Sequence, residues 1–239
     1  YNTILESENF RDLQSELVFD NVKSYFFVNM QPDELVEKKN EGFELVNNNQ
    51  IEYQFDLTLK RPTRHEVFVD RQKGYILSQS SIFKDGIVKP CVVSEKTGSI
   101  EWVIKNEYKK IGAFNVQKAL TQFRGRKYTA WFSVEIPISA GPWKFHGLPG
   151  LILEIQDEEL GVQFLFSSIK IPYNIASELK KPSLGSTISL QEYIRIDNEF
   201  EEEFIRFFQA KLPRDFAISN ITFNSVDRSI EREYENSNH

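Results

Sequence analysis

The sequence predicts a β-rich α+β protein: a curved or partly closed antiparallel meander with one long amphipathic helix near the C-terminus. Three observations predict it. Apolar and polar residues alternate with period two through the first three quarters of the chain. Glycine-terminated turn signals separate the apolar runs at short intervals. Aromatic residues, which suit pleated surfaces, reach 13%, with 20 phenylalanines among them.

The elements follow in chain order. An early strand is expected from Leu17 to Val28. Gln31 to Gln50 is polar and loosely patterned, with Pro32-Asp33-Glu34 suited to start a short helix. Ile51, Tyr53, Phe55, Leu57 and Leu59 alternate with polar residues, which gives a strand one wet face and one buried face. Asp85-Gly86 between two apolar pairs is a two-residue hairpin signal. Asp70–Gly74, Glu95–Gly98 and Asp157–Gly161 read as short loops joining antiparallel neighbours. Tyr128, Ala130, Phe132, Val134 and Ile136 form another alternating run, and Leu151–Ile155 and Val162–Ile171 two further strands. Ser189 and Glu192 have capping-box spacing, with Ile188 and Tyr193 as a hydrophobic staple. Ile196, Phe200, Phe204 and Phe208 recur every four residues behind them, so one helix is expected over roughly 189–212, closed by Pro213. That stripe reads as a face packed on the sheet rather than a ligand surface. Terminal strands are expected at Phe216–Phe223 and Ile230–Tyr234. With no long linker and no repeat, residues 1–239 read as one domain, its sheet over roughly 17–171.

Composition removes several function classes. The 29 basic and 35 acidic residues leave a net charge of -6, which gives no global attraction to nucleic acid or to an anionic membrane. Cys91 is the one cysteine, so neither an intrachain disulfide nor a multi-thiolate metal site is available. No run approaches a membrane-spanning helix, and a soluble chain with its signal segment removed and no lipidated N-terminal cysteine is expected. Neither a serine-hydrolase elbow, a phosphate loop, a dinucleotide fingerprint nor a zincin motif occurs. Cys91 has no local support from His65 or His146 as a nucleophile's base, and the histidine spacing offers no preformed zinc site. No catalytic residue, metal or cofactor is expected.

One segment is unlike the rest: Gly141 to Glu154, where glycine and proline alternate with large apolar side chains. Pro149-Gly150 suits the centre of a type II turn, with glycine supplying a positive φ. Trp143 and Phe145 are expected on one side of an extended stretch, with Lys144 and His146 on the other. Two readings stand: a buried corner that re-enters the sheet, or a docking surface anchored by Trp143. Arg124, Arg126 and Lys127, just before the Tyr128 strand, likewise read either as a charged strand entry or as forked donors for a carboxylate or phosphate.

At these residues the sequence resembles the GLPGLI family of Bacteroidetes cell-envelope proteins. Gly147-Leu148-Pro149-Gly150-Leu151-Ile152 spells the hexapeptide. The likeness extends through Gln117-Lys118-Ala119, Phe123 to Phe132, Glu135-Ile136-Pro137 and Gly141 to Phe145. Val116 stands where relatives often carry a cysteine, so no thiol role carries over. The resemblance implies a periplasmic location and, by association, a partner among outer-membrane TonB-dependent transporters. The leading expectation is therefore a non-enzymatic accessory protein that docks on such a β-barrel. Trp143, Phe145, Leu148 and Pro149 would give the apolar contact, and Arg124 and Arg126 the polar one. Two alternatives are a carrier of an apolar ligand, lipid or lipoprotein, in a Phe-rich cavity, and an envelope hydrolase that pairs His65 or His146 with a carboxylate or Cys91.

Overall fold

The computed structural model describes residues 1–5, 11–29, 41–46, 50–55, 64–171, 179–210, 218–221 and 231. Its first half supplies β1 (Asn2–Leu5), β2 (Arg11–Phe19), β3 (Lys23–Asn29), β4 (Glu41–Val46), β5 (Gln50–Phe55), β6 (Arg64–Asp70), β7 (Tyr75–Lys84) and β8 (Ile87–Lys96). Then come β9 (Val103–Ile111), β10 (Phe114–Phe123), β11 (Arg126–Ser133), β12 (Leu151–Asp157), β13 (Val162–Leu165) and β14 (Ser186–Ser189). Two helices, α1 (Leu190–Asn198) and α2 (Phe200–Gln209), precede β15 (Ile218–Ile221).

Twelve strands form one open sheet in the order β14-β8-β7-β6-β3-β2-β1-β13-β12-β11-β10-β9. Every pairing in it is antiparallel except β14 on β8, so the sheet is mixed at one edge. A separate three-stranded sheet, β15-β5-β4, has β15 parallel to β5.

The expected hairpins at Asp85-Gly86 and at 157–161 are present. Asp85 and Gly86 both have positive φ, 56° and 77°, the backbone of a type I′ turn. The 95–98 signal has a different outcome. Residues 97–102 join β8, second in the sheet, to β9, at the far edge. Ten strand spacings across a flat sheet would be about 48 Å. Six linking residues reach only about 25 Å. The sheet must therefore roll up so that its wings approach, as accumulated strand twist allows.

Rolling creates a concave face, and the main core fills it. Phe26, Val67, Val69 and Ile76 come from one wing; Ala119, Phe123, Tyr128, Ala130 and Ile155 come from the other. Directly opposed residues share a face, so the register carries the same side from Ile76 through Val69, Thr3 and Phe164 to Ala130 and Tyr128. The convex side carries smaller clusters, one of Ile111, Val116, Leu151 and Leu153, another of Tyr25, Phe27 and Phe68.

Three expectations need correction. The single early strand is two, because the Asp20 carboxylate accepts from the Val22 and Lys23 amides at 2.7 and 2.6 Å and folds β2 back onto β3. The one long helix is also two. Ser189 does cap α1, accepting from the Glu192 amide at 3.1 Å, but Glu199 closes it with φ −85° and ψ −3°. The two segments meet different parts of the β7–β8 hairpin. Around α1, Leu190, Tyr193 and Ile194 pack with Cys91 and Val93, whereas Phe200, Phe204 and Phe207 of α2 surround Phe83 near the hairpin tip. Finally, β13 ends at Leu165 rather than Ile171. The expected helix start at Pro32, residues 56–59 of the expected Ile51–Leu59 strand and most of the Ile230–Tyr234 strand lie outside the described residues.

Replacing Ser189 by alanine removes the α1 cap and is expected to cost about 1 kcal/mol in urea denaturation, with an unchanged m-value.

Candidate functional site

Phe123 pairs with Arg126, so the β10–β11 hairpin turns on Arg124 and Gly125, both with positive φ (52° and 75°). A left-handed backbone disfavours any side chain, and an arginine there needs a compensating contact. A second strained residue lies nearby. Trp143 has φ 52°, in a tight turn closed by the Phe145 amide donating to the Pro142 carbonyl at 3.1 Å. Its ring meets Phe123 at 5.8 Å and Phe145 at 5.2 Å between centroids.

These two turns bring Arg124 and Lys144 to one place. Glu95, opposite Ile76 on β8 and therefore on the concave face, accepts from Arg124 on Oε2 and from Lys144 on Oε1. Glu231 completes the group. Its Oε1 takes a bond from Lys144, and its Oε2 lies 3.8 Å from Arg124 Nε. Among the described residues, two cations and two carboxylates thus alternate around a ring, each carboxylate offering one oxygen to each cation. Arg124, Lys144 and Glu95 are almost fully buried, and Glu231 is the most exposed member at 14% of its side chain.

Such a group is stable only as a set. Each isolated charge carries a desolvation penalty of several kcal/mol, which the opposite charges must offset. Burial alone disfavours the Lys144 ammonium, but Glu231 and Glu95 outweigh it and hold its pKa above the ordinary lysine range. A second buried pair stands on the same face. Arg126 Nη1 donates to Asp157 Oδ2 at 2.5 Å, and Asp157 Oδ1 accepts from the Val162 amide at 2.9 Å. Asp157 thereby ties the β12–β13 turn to β11.

The GLPGLI hexapeptide has a packing reason at nearly every letter. Gly147 needs its φ of 99°. Leu148, Leu151 and Ile152 are buried. Gly150 lacks a positive φ, which corrects the expected type II turn; glycine is required there because an added Cβ would stand 2.1 Å from the Ser133 carbonyl oxygen. The stretch before it is a turn rather than extended, so Lys144 is buried along with Trp143 and Phe145. His146 lies half-buried, Nδ1 2.8 Å from the Lys144 carbonyl and Nε2 3.2 Å from the Gly98 carbonyl. Its own carbonyl accepts from Trp102 Nε1 at 2.8 Å, so the corner is pinned to the 97–102 crossover.

Of the six expected contact residues, Trp143, Phe145, Leu148, Arg124 and Arg126 are buried inside the protein, and Pro149 alone is exposed. The apolar anchor is a core element: Phe145 packs against Tyr128, Trp143, Phe123, Trp102 and Phe164, at centroid distances of 4.8 to 6.5 Å. Arg124 and Arg126 do donate to carboxylates, Nη2 to Glu95 and Nη1 to Asp157, but those carboxylates are the chain's own. Sequence reasoning missed Glu95, Lys144, Asp157 and Glu231. The one local signal was arginine at the first position of an Arg-Gly turn, where a left-handed side chain marks strain.

Other chemistry is sparse. Cys91 is buried, and desolvation pushes its thiol up to about 11. Among the described residues no group of three or more His, Cys, Asp and Glu side chains is arranged to hold a metal. No helix among them is long and apolar enough to cross a membrane.

A sequence-family model described as a protein of unknown function (Porph_ging) matches residues 122–154, a stretch that runs from the Arg124 turn through β11 and the corner into β12. No curated protein sequence matches the chain. Among solved structures, PNGF-II in its P21 crystal form is similar over 81% of this chain, with a TM-score of 0.51 and 14% identity. PNGF-II in its C2 form gives a TM-score of 0.48 and 15% identity over the same share. This chain spans 31% of the length of PNGF-II, and the likeness is one of fold.

Gly150→Ala is expected to cost about 3–5 kcal/mol, because backbone must move, whereas Gly98→Ala, with nothing within 4 Å of the added Cβ, stays within about 1 kcal/mol of the parent. Paired urea titrations check the contrast. Lys144, Cys91 and Tyr193 all have folded pKa values above their ordinary ones, Tyr193 at about 12. Groups raised on folding stabilise below their unfolded pKa and lose that contribution as pH rises through the folded one. For these three groups the loss begins near pH ~8.5 with the cysteine and grows above ~10 with the tyrosine and lysine, so Tm measured from pH 7 to 11 is expected to hold its plateau and then fall.

Proposed function

We propose that the chain is a non-enzymatic binding or accessory module of a Gram-negative cell envelope, working in the periplasm and docking on an outer-membrane β-barrel transporter. Compartment and partner rest on the similarity of residues 117–154 to the GLPGLI family. The observation that carries the non-enzymatic part is the state of the polar chemistry on the concave face. Arg124, Arg126, Lys144, Glu95, Asp157 and Glu231 neutralise one another in buried ion pairs, and the thiol is buried with a raised pKa.

The contact surface then belongs to what the corner leaves outside. Gly150 presses against the Ser133–Val134 backbone; Pro149, just before it, is exposed, and Val134 has a relative exposure of 58%. Exposed apolar side chains over a rigid core suit protein contact better than catalysis.

Affinity purification of the tagged chain from detergent-solubilised envelopes is expected to bring down a stoichiometric β-barrel protein. Val134→Asp with Pro149→Asp is expected to lose that partner while leaving the melting temperature within about 2 °C. Recovery of the chain with no barrel protein, or equal recovery by the doubly substituted chain, overturns the respective part of the reading.

A further inference from the structure

Arg124 and Lys144 are bridged twice, and the two bridging carboxylates are not equivalent. Glu95 is the next-to-last residue of β8, has 3% of its side chain exposed, and is held in the ladder opposite Ile76. Glu231 lies far along the chain from both cations and keeps 14% of its side chain in contact with solvent. Without Glu231, Lys144 and Arg124 would each lose one of the carboxylates that face them. Two left-handed residues, Arg124 and Trp143, aim these cations at the same point, and the fold maintains their strain.

The geometry specifies the anion. One oxygen meets Lys144 Nζ and the other approaches Arg124 Nε, so the site fits a planar two-oxygen group. Lys144 also stands over the Trp143 ring at 5.6 Å, and Arg124 over Phe123 at 5.2 Å, which fixes both cations from behind. Cations held this way are preorganised for a ligand rather than swung in to meet one.

We propose that Arg124 and Lys144 form a carboxylate-binding site, that Glu231 is its occupant within the chain, and that another carboxylate can take its place. The replacing group is either a small free carboxylate or an acidic side chain on a polypeptide segment. The inference is independent of the accessory reading, since it concerns only these four side chains.

The test is chemical rescue of the full chain. Glu231→Ala is expected to lower Tm by about 5–10 °C. Sodium acetate, at fixed ionic strength against sodium chloride, is expected to restore at least a third of that loss in a saturable way. A peptide of the chain's residues 227–235 is expected to do the same, and at lower concentration than the same peptide carrying Glu231→Ala. Neither probe should raise Tm in Glu231→Ala combined with Lys144→Met, and in the unsubstituted chain each should raise it only at higher concentration, because Glu231 competes for the site. Rescue by acetate alone assigns a small carboxylate, and rescue by the peptide assigns an acidic segment. An unchanged Tm in Glu231→Ala, or rescue by neither probe, overturns the proposal. If Glu231→Ala does not fold, Glu231→Gln is measured in the same way, with the same outcomes.

Discussion

The Glu95 carboxylate receives Arg124 and Lys144 from two separate turns, and much of the molecule's form depends on that meeting. Glu95 lies on the second strand of the sheet, and Arg124 on the turn between its tenth and eleventh. A sheet of this width bends wherever its twist takes it, and the ion ring selects the curvature at which the wings touch. The aromatic core then fills the enclosed side, with Phe145 at its centre, and the 97–102 crossover closes the gap that the chain must span.

Hydrophobic burial and charge pairing are not alternatives here. Trp143 and Phe123 pack on each other, and each carries a cation over its ring, bonded to the same carboxylate. Substituting any one of these side chains disturbs both interactions, so the region is expected to be cooperative rather than additive. Arg126 and Asp157 repeat the arrangement one strand further on, with a backbone amide as third partner.

Local features were legible in the sequence. The Asp85-Gly86 turn and the Ser189 cap each depend on neighbours within a few residues, and each has its expected form; the alternating run expected from Tyr128 to Ile136 holds as far as Ser133, where β11 ends and Val134 turns outward. The break at Glu199 was not legible, because the four-residue recurrence of Ile196, Phe200 and Phe204 continues across it; the change of course follows from what α1 and α2 pack against. Glycine at 150 was read from turn chemistry, but it answers to a backbone that approaches from Ser133. Glu95 and Lys144 were invisible for a similar reason. A single glutamate at a strand end and a lysine between aromatics carry no local mark of burial, and they acquire one only when strands distant in the sheet come together.

The place of β1 has a consequence of its own. This short strand lies in the middle of the sheet, with β2 on one side and β13, roughly 160 residues later, on the other. At ordinary synthesis rates, about 10–30 s separate the appearance of the two partners. Throughout that interval one side of β1 is an unguarded edge, open to pairing with the wrong strand or with another molecule. The fold therefore cannot close progressively from its first residue. It is completed late and all at once, and anything that delays β13 lengthens the time for which the chain has to be kept from its neighbours.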